Sequence, residues 1–185
     1  MNDKTLSGWA LILGASSGFG AASCRALAAA GMDIAGVHLD RRSNLPRVQE
    51  VIDDVQAHGQ RALFFNVNAA DECKRQKVLD ELAQEAGTGS VKVVLHSLAF
   101  GSLLPLVAGG PEKSLSKAQM DMTLDVMAHS LVYWTQDLVW RDLLADDARI
   151  YAMTSSGSHR AFPSYGAVGA AKAALESHIR YLALE

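Results

Sequence analysis

The chain has 185 residues, 49% of them apolar, and a formal net charge of −3, which predicts one globular domain over residues 1–185 with a sizeable core. The mild negative charge excludes the basic surface of a nucleic-acid-binding protein, and no apolar run is long enough to span a membrane. Two unpatterned cysteines favour a reducing cytoplasm, six histidines lack metal-ligand spacing, and we expect no signal peptide at residues 1–6.

The first predicted element is a short apolar strand, residues 9–13, which runs into a glycine-rich turn and a helix-forming stretch, residues 21–30. Strand, glycine-rich turn and helix in this order are typical of dinucleotide-binding folds, because glycines permit the tight turn and the close approach of a pyrophosphate. An ordinary strand-to-helix connection would look similar. The expected cofactor-binding residues here are Gly14, Ser16, Ser17, Gly18, Phe19 and Gly20.

The rest of the chain alternates between predicted strands and helices. The strands are residues 34–39, 62–65, 91–95 and 149–154, and the helices are residues 45–58, 71–86, 117–144 and about 165–184. This alternation predicts a Rossmann-type α/β fold, a doubly wound parallel sheet with helices on both faces. Glycine-rich or polar segments follow four of the strands, at residues 14–20, 66–67, 97–100 and 154–156. Ligands bind at this carboxyl edge in such sheets, so the sequence predicts a nucleotide-binding cleft.

The last predicted helix carries Tyr165 and Lys172. Seven residues are about two helical turns, which places both side chains on one face. A phenol beside a buried ammonium is a usable proton donor. The alternative is an ordinary helix with one buried tyrosine and one lysine that faces solvent.

These motifs together resemble the short-chain dehydrogenase/reductase family over essentially the whole chain. The glycine-rich turn, the Asn66-Val67 pair where the family usually has Asp-Val, and the Tyr/Lys pair carry the resemblance. Most of the family spaces that pair as Tyr-xxx-Lys, whereas Tyr-x6-Lys resembles the divergent branch of bacterial enoyl-[acyl-carrier-protein] reductases. The segments 96–100 and 160–165 resemble that branch as well. Met127 stands where the wider family has a proton-relay asparagine.

Two features depart from the enoyl-reductase branch. The glycine-rich turn has the ordinary family form rather than the longer one, and Ser155 stands in place of the branch's additional active-site aromatic residue. The resemblance therefore implies that Ser155 helps to hold a substrate carbonyl. A serine that only satisfies backbone groups in a turn is the alternative.

The resemblance implies hydride transfer from a nicotinamide to the β-carbon of a 2-enoyl thioester of acyl carrier protein or CoA, in fatty-acid synthesis. Tyr165 would stabilise the enolate oxygen, and Lys172 would hold the nicotinamide ribose. Apolar surface for the acyl chain is expected from Leu103, Leu104 and Phe162, although these side chains could equally be core. Further cofactor contacts are expected from Asn66, Val67, Ser97, Leu98, Ala99 and Thr154.

Coenzyme choice depends on the end of the second strand, where a carboxylate favours NAD and an arginine favours NADP. By spacing from Gly14 the usual acidic position falls on His38, with Arg41 and Arg42 close behind. NADP(H) is therefore slightly favoured over NAD(H). A shift of two residues in register would bring Asp40 to the acidic position and reverse the preference.

Two other functions remain open at this stage. A carbonyl reductase or alcohol dehydrogenase of the same family would use Ser155 and Tyr165 on a ketone, and a non-catalytic nucleotide-binding protein would catalyse nothing.

The chain stops at Glu185, inside the last predicted helix, whereas family members continue through two more strands, so we expect a fragment that lacks its C-terminal strands. Family relatives form dimers or tetramers through the two last helices, and a homo-oligomer is expected here. Its interface could include Trp134, Leu138 and Trp140, which would also suit a core.

Overall fold

A computed structural model describes residues 6–185; the expectation about a signal peptide falls mostly on residues outside that range. Five strands form one sheet in the order β3-β2-β1-β4-β5. The pairs of β1 with β2, β1 with β4 and β2 with β3 are parallel. The strands are β1 Trp9–Leu13, β2 Asp33–His38, β3 Ala62–Asn66, β4 Val91–His96 and β5 Leu144–Ala152.

Six α-helices connect or follow the strands: α1 Gly18–Ala30, α2 Leu45–Ala57, α3 Glu72–Ala86, α4 Lys117–Leu124, α5 Ser130–Trp140 and α6 Gly166–Leu184. Their ends follow local signals. Gly31 ends α1 in the left-handed conformation, with φ of 112°. The Asp71 carboxylate accepts a hydrogen bond from the Lys74 amide at the start of α3. The predicted capping box of Ser116 and Gln119 starts α4.

The structure corrects the predicted helix over residues 117–144 and the strand that follows it. A π-helical turn, Asp125–His129, separates α4 from α5, and α5 ends at Trp140. Asp142 then adopts the left-handed conformation with φ of 54°, which a continuing helix does not allow. The Leu143 carbonyl accepts hydrogen bonds from the Ser90 and Val91 amides, so the chain has joined the sheet edge before β5 begins. As a result β5 starts at Leu144 instead of residue 149.

The contacts group the chain into two compact units. The first consists of the chain up to Ser97 and Gln136–Tyr151, and the second of Leu98–Thr135 and Ala152–Glu185. The prediction of one domain over residues 1–185 stays a prediction.

The first unit holds the sheet and confirms the Rossmann-type fold. From the central strand β1 the chain proceeds outward to β2 and β3, then returns to β4 on the other side of β1. Right-handed crossovers place α1 and α2 on one face and α3 on the other, and α1 and α2 pack together. A buried ion pair of 2.6 Å joins Arg75 of α3 to Asp137 near the end of α5. Strand β1 is buried along its whole length, as expected for the centre of such a sheet.

The second unit is built around α6, which packs on α4 and on the π-helical turn. The apolar side of α6 is buried through Ala167, Val168, Ala171 and Leu175. A close approach requires glycine at residue 101, since a Cβ there would lie 2.7 Å from Thr123 Cγ2 and 2.9 Å from Met127 Sδ. Within residues 6–185, no helix combines the length and apolar character needed to cross a bilayer.

Candidate functional site

The glycine-rich turn between β1 and α1 has the conformation that its sequence predicts. Gly14 has φ of 94° and Gly18 φ of 53°, values that L residues with a side chain rarely adopt. A Cβ at Gly20 would lie 1.9 Å from the Gly14 carbonyl oxygen, so only glycine allows this packing of α1 on the turn. Ser17 and Phe19 are exposed at the N-terminus of α1, where no acidic residue occupies the first turn. This helix end therefore suits an anionic group, because the positive end of the helix dipole points outward there.

The end of β2 places a carboxylate beside the glycine-rich turn. His38 is buried, and its Nδ1 lies 3.0 Å from Asp40 Oδ2. Burial opposes ionisation of Asp40, but hydrogen bonds from Ser16, His38 and Asn44 outweigh it and lower the pKa of this carboxyl. Asp40 therefore presents a negative charge next to Ser16. Counting from Gly14 placed the acidic position at His38 and so did not identify this carboxylate. The alternative register, shifted by two residues, did identify it.

The arginines after Asp40 and the pair at the end of β3 have different surroundings. Arg41 and Arg42 are exposed. The Asn66 side chain is used to fix the neighbouring strand end: its Oδ1 accepts from the Asp40 amide at 2.9 Å and its Nδ2 donates to the Asp40 carbonyl at 3.0 Å. The Val67 amide donates to the His38 carbonyl at 2.8 Å. Asn66 and Val67 thus hold the end of β2 and the residues after it in place.

The end of β4 continues this edge of the sheet. The Ser97 amide donates to the Leu13 carbonyl at 2.8 Å, which extends the β1–β4 pairing by one residue. The strand order reverses between β1 and β4, and such a switch point is where α/β sheets bind ligands. The first unit therefore brings together the predicted residues at the ends of β1, β2, β3 and β4.

The second unit contains the predicted catalytic pair of hydroxyls. The Tyr165 hydroxyl donates to Ser155 Oγ at 3.3 Å, and Ser155 Oγ also accepts from the Gly157 amide at 3.2 Å. The ring of Phe162 meets the Tyr165 ring edge-on, with centroids 6.0 Å apart. These contacts fix the phenol at the start of α6. The Ser155 side chain does satisfy a backbone group, as the alternative held, but it does so while bonded to Tyr165.

Lys172 is a buried cation on α6. Its relative exposure is 4%, so the alternative of a lysine that faces solvent is wrong. Its Nζ donates to the Met153 carbonyl at 2.6 Å and to the Leu98 carbonyl at 3.2 Å. Burial lowers the pKa of Lys172 to about 8. The lysine is therefore charged at neutral pH and close to losing that charge.

A cleft of about 710 Å³ opens beside Tyr165, within the size range of small-molecule sites. Its apolar wall includes Leu106, Val107 and Phe162, and its rim includes His159 and Arg160. Phe162 was among the predicted acyl contacts. The other two predicted leucines, Leu103 and Leu104, are not among the lining residues; the loop contributes Leu106 and Val107 instead.

The remaining predicted positions are distributed as follows. Thr154 is exposed and donates to the Glu176 carboxylate, and Ala99 is exposed after the Leu98 carbonyl that Lys172 binds. Met127 is 2% exposed within the π-helical turn, a helix distortion that recurs at functional sites. No group of three or more potential metal ligands lies close together in the part of the chain that the structure describes.

The predicted interface residues separate into two kinds. Trp134 and Leu138 have no exposed surface within the single chain, so they belong to the core. Trp140 is 71% exposed and Val139 is 52% exposed. Only Trp140 of the predicted set therefore has surface left for a second chain.

Solved structures of short-chain dehydrogenases/reductases superimpose on this chain, as its strand order and glycine positions lead one to expect. A short chain dehydrogenase from Burkholderia cenocepacia in complex with NADP has a TM-score of 0.77 at 26% identity, over 94% of this chain and 66% of that chain. The sequence model of the enoyl-(acyl carrier protein) reductase family matches residues 14–185, and the chain belongs to this family.

Curated relatives agree with this family. An enoyl-[acyl-carrier-protein] reductase [NADH] from Nostoc sp. is 29% identical over 161 residues, which cover 86% of this chain and 58% of that protein. A 1-cyclohexenylcarbonyl-CoA reductase from Streptomyces collinus is 27% identical over 175 residues, which cover 95% of this chain and 58% of that protein. The chain thus spans a little under three fifths of the length of these relatives.

Proposed function

We propose that the chain is the nucleotide-binding and proton-donating part of an NAD(P)H-dependent reductase that reduces the 2,3 double bond of an enoyl thioester. One observation carries the proposal: a Tyr165 phenol hydrogen-bonded to Ser155, directly before the helix that carries the buried cation of Lys172. The family model and the names of the relatives support a reductase of this kind.

The residues of the first unit suit a dinucleotide. The exposed N-terminus of α1 suits the negative charge of a pyrophosphate, and the Gly20 packing keeps side chains away from the turn. The nicotinamide, when bound, supplies the hydride. Asn66 and Val67 position Asp40, whose carboxylate is of the type that binds ribose hydroxyls.

The second unit supplies the groups that act on the substrate. Reduction of an enoyl thioester builds negative charge on the thioester oxygen, and a fixed hydrogen-bond donor stabilises that charge. We assign this donor to the Tyr165 hydroxyl, with Ser155 orienting it at 3.3 Å. Lys172 keeps the electrostatic potential around the phenol positive and binds the nicotinamide ribose. The apolar wall of Leu106, Val107 and Phe162 receives the acyl chain.

The choice of coenzyme rests on three side chains at the end of β2. Two exposed guanidiniums, Arg41 and Arg42, support NADP(H), which we propose as the preferred coenzyme. The ionised carboxylate of Asp40 beside Ser16 supports NAD(H). A direct comparison of NADPH and NADH decides between them.

A second candidate function is reduction of a ketone. Ser155 favours it, because a serine hydroxyl bonded to the tyrosine gives two hydroxyl groups that can both bind a carbonyl oxygen.

We also propose a cytoplasmic enzyme that assembles into a dimer or tetramer. The two cysteines are free, one of them buried, and Trp140 supplies exposed aromatic surface for assembly. Native mass measurement tests the assembly.

The first experiment follows loss of reduced-nicotinamide absorbance with NADPH or NADH and either an enoyl or a β-ketoacyl thioester. The proposal expects turnover of the enoyl thioester and strong loss of turnover in Tyr165→Phe. Turnover of the ketone alone would establish the second candidate. Coenzyme binding without turnover of either substrate would indicate a non-catalytic nucleotide-binding protein.

A further inference from the structure

The last helix carries a second polar side chain that contacts the loop of Ser155. Glu176 lies one helical turn after Lys172, and its Oε1 accepts a hydrogen bond from Thr154 Oγ1 at 2.5 Å. Hydrogen bonds from Thr154 and then Ser158 lower the pKa of Glu176, with burial opposing and the charges of His159 and Arg180 adding smaller effects. The bond from Thr154 is the one that the geometry shows, and it ties α6 directly to the loop of Ser155.

Those two hydroxyls flank the residue that contacts Tyr165. Thr154 precedes Ser155, and Ser158 follows it at the end of a short 3-10 helix, Ser156–Ser158. The Ser158 hydroxyl donates its one hydrogen to the Ser155 carbonyl at 2.9 Å. The Glu176 carboxylate thus holds the loop at Thr154, the residue directly before Ser155.

The hydrogen bond between Thr154 and Glu176 also affects the surroundings of Lys172. The Lys172 ammonium donates to the carbonyl of Met153 at 2.6 Å, and Met153 is the residue directly before Thr154. The Met153 carbonyl belongs to the planar peptide unit that ends at the Thr154 Cα, so holding the Thr154 side chain on α6 restrains the position of that carbonyl. The Ser155 hydroxyl, which contacts Tyr165, and the Met153 carbonyl, which contacts Lys172, therefore each belong to a residue next to Thr154, the partner of Glu176.

We propose that Glu176 is a positioning residue for the reaction: by holding Thr154 it sets the places of Ser155 and of the Met153 carbonyl, and through them Tyr165 and Lys172. The inference rests on the proposed function. Glu176 touches no reacting atom in this role. It acts because small displacements of a reacting group cost large factors in rate.

The test compares Glu176→Ala with Glu176→Gln, which keeps an acceptor oxygen. We expect Glu176→Ala to lower kcat roughly tenfold with little change in the coenzyme KM, and Glu176→Gln to retain most of the wild-type rate. Thr154→Val should cause a loss similar to Glu176→Ala, and the double variant should lose no more than either single variant. The matched control is Glu81→Ala, on the exposed side of α3.

Turnover of the enoyl and β-ketoacyl thioesters by the wild-type chain tests the proposed function. The ratio of the kcat of each variant to the wild-type kcat, measured on whichever thioester the chain reduces, tests the role of Glu176. Amide hydrogen exchange provides a readout that needs no activity. The amides of Gly157, Ser158 and His159 are bonded within the loop, and in Glu176→Ala we expect them to exchange roughly tenfold faster. Unchanged kcat with unchanged exchange in Glu176→Ala would overturn the inference. Additive losses in the double variant would also overturn it. An equal loss of rate in Glu176→Gln would do the same.

Discussion

Gly157 lies against the ring of Tyr165, so closely that a Cβ at this glycine would stand 2.4 Å from Tyr165 Cε1. Real Cβ contacts are essentially never that short, so one of the two groups must move in any variant with a side chain at residue 157. The glycine is needed here for space and not for backbone conformation.

Gly157→Ala is therefore expected to displace the phenol and to reduce kcat roughly 100-fold, since a shift of about 1 Å has that effect. Steady-state rates with the enoyl thioester measure it. The control is Gly109→Ala, where an added Cβ meets nothing within 4 Å. Equal rates for the two variants would show that the Tyr165 ring accommodates the methyl group.

Tyr165→Phe removes the hydroxyl and leaves the ring contact with Phe162. We expect kcat to fall by roughly 100-fold or more, the usual effect of losing one donor to a developing oxyanion. Thermal unfolding should change little. Tyr181→Phe is the matched control, because Tyr181 lies on the same helix and is 62% exposed. A Tyr165→Phe enzyme with wild-type kcat would remove Tyr165 from the mechanism.

Activity should fall as the pH rises through about 8, where Lys172 loses its proton. The variant Lys172→Met should be slow at every pH and should lack this alkaline limb. Lys117→Met, at an exposed lysine of α4, should keep the wild-type profile. If the loss of activity at alkaline pH persists in Lys172→Met, it is caused by the ionisation of another group.

The same shift affects stability with a definite sign. The folded pKa of Lys172, about 8, lies below the ordinary lysine value of 10.5, so the unfolded chain holds more protons between these values. The free energy of unfolding should therefore gain a contribution that increases with pH over that window. Urea unfolding of wild type and Lys172→Met at several pH values measures it, and the variant should lack the increase.

Asp40 should control coenzyme preference. Replacing it with asparagine removes a negative charge beside Ser16, and we expect the ratio of kcat/KM for NADPH over NADH to rise roughly tenfold. Asp53→Asn, on the exposed side of α2, is the control. Arg41→Ala and Arg42→Ala should shift the ratio the other way. If Asp40→Asn leaves the ratio unchanged, the carboxylate does not face the coenzyme ribose.

Much of the fold could be predicted because its signals are local. The glycine-rich turn and the capping box at Ser116 each lie within a few residues, and the structure contains both. The end of the long helix could not be predicted in the same way. No glycine or proline marks a helix end within residues 138–144, and the break at Asp142 coincides with hydrogen bonds of Leu143 with Ser90 and Val91, about fifty residues earlier.

Parts of the candidate site were hidden for the same reason. Asp40 reaches Ser16 across 24 residues of sequence, and Thr154 reaches Glu176 across 22. Apolar periodicity also cannot separate a core from an interface, so Trp134 and Trp140 looked alike until their exposure was known. The sequence predicted Tyr165 and Lys172 from helical spacing, and the structure places Tyr165 directly before α6 and Lys172 within it; their joint role stays a prediction.

An ammonium group has three N–H donors, and Lys172 uses two of them on the carbonyls of Leu98 and Met153. One donor is left, and its direction is fixed by the tetrahedral geometry of the nitrogen. A ligand hydroxyl must therefore approach this lysine along one line. Arginine would keep the positive charge at residue 172 but not this arrangement, because a planar guanidinium cannot aim its donors in tetrahedral directions. The site thus selects lysine by shape as well as by charge.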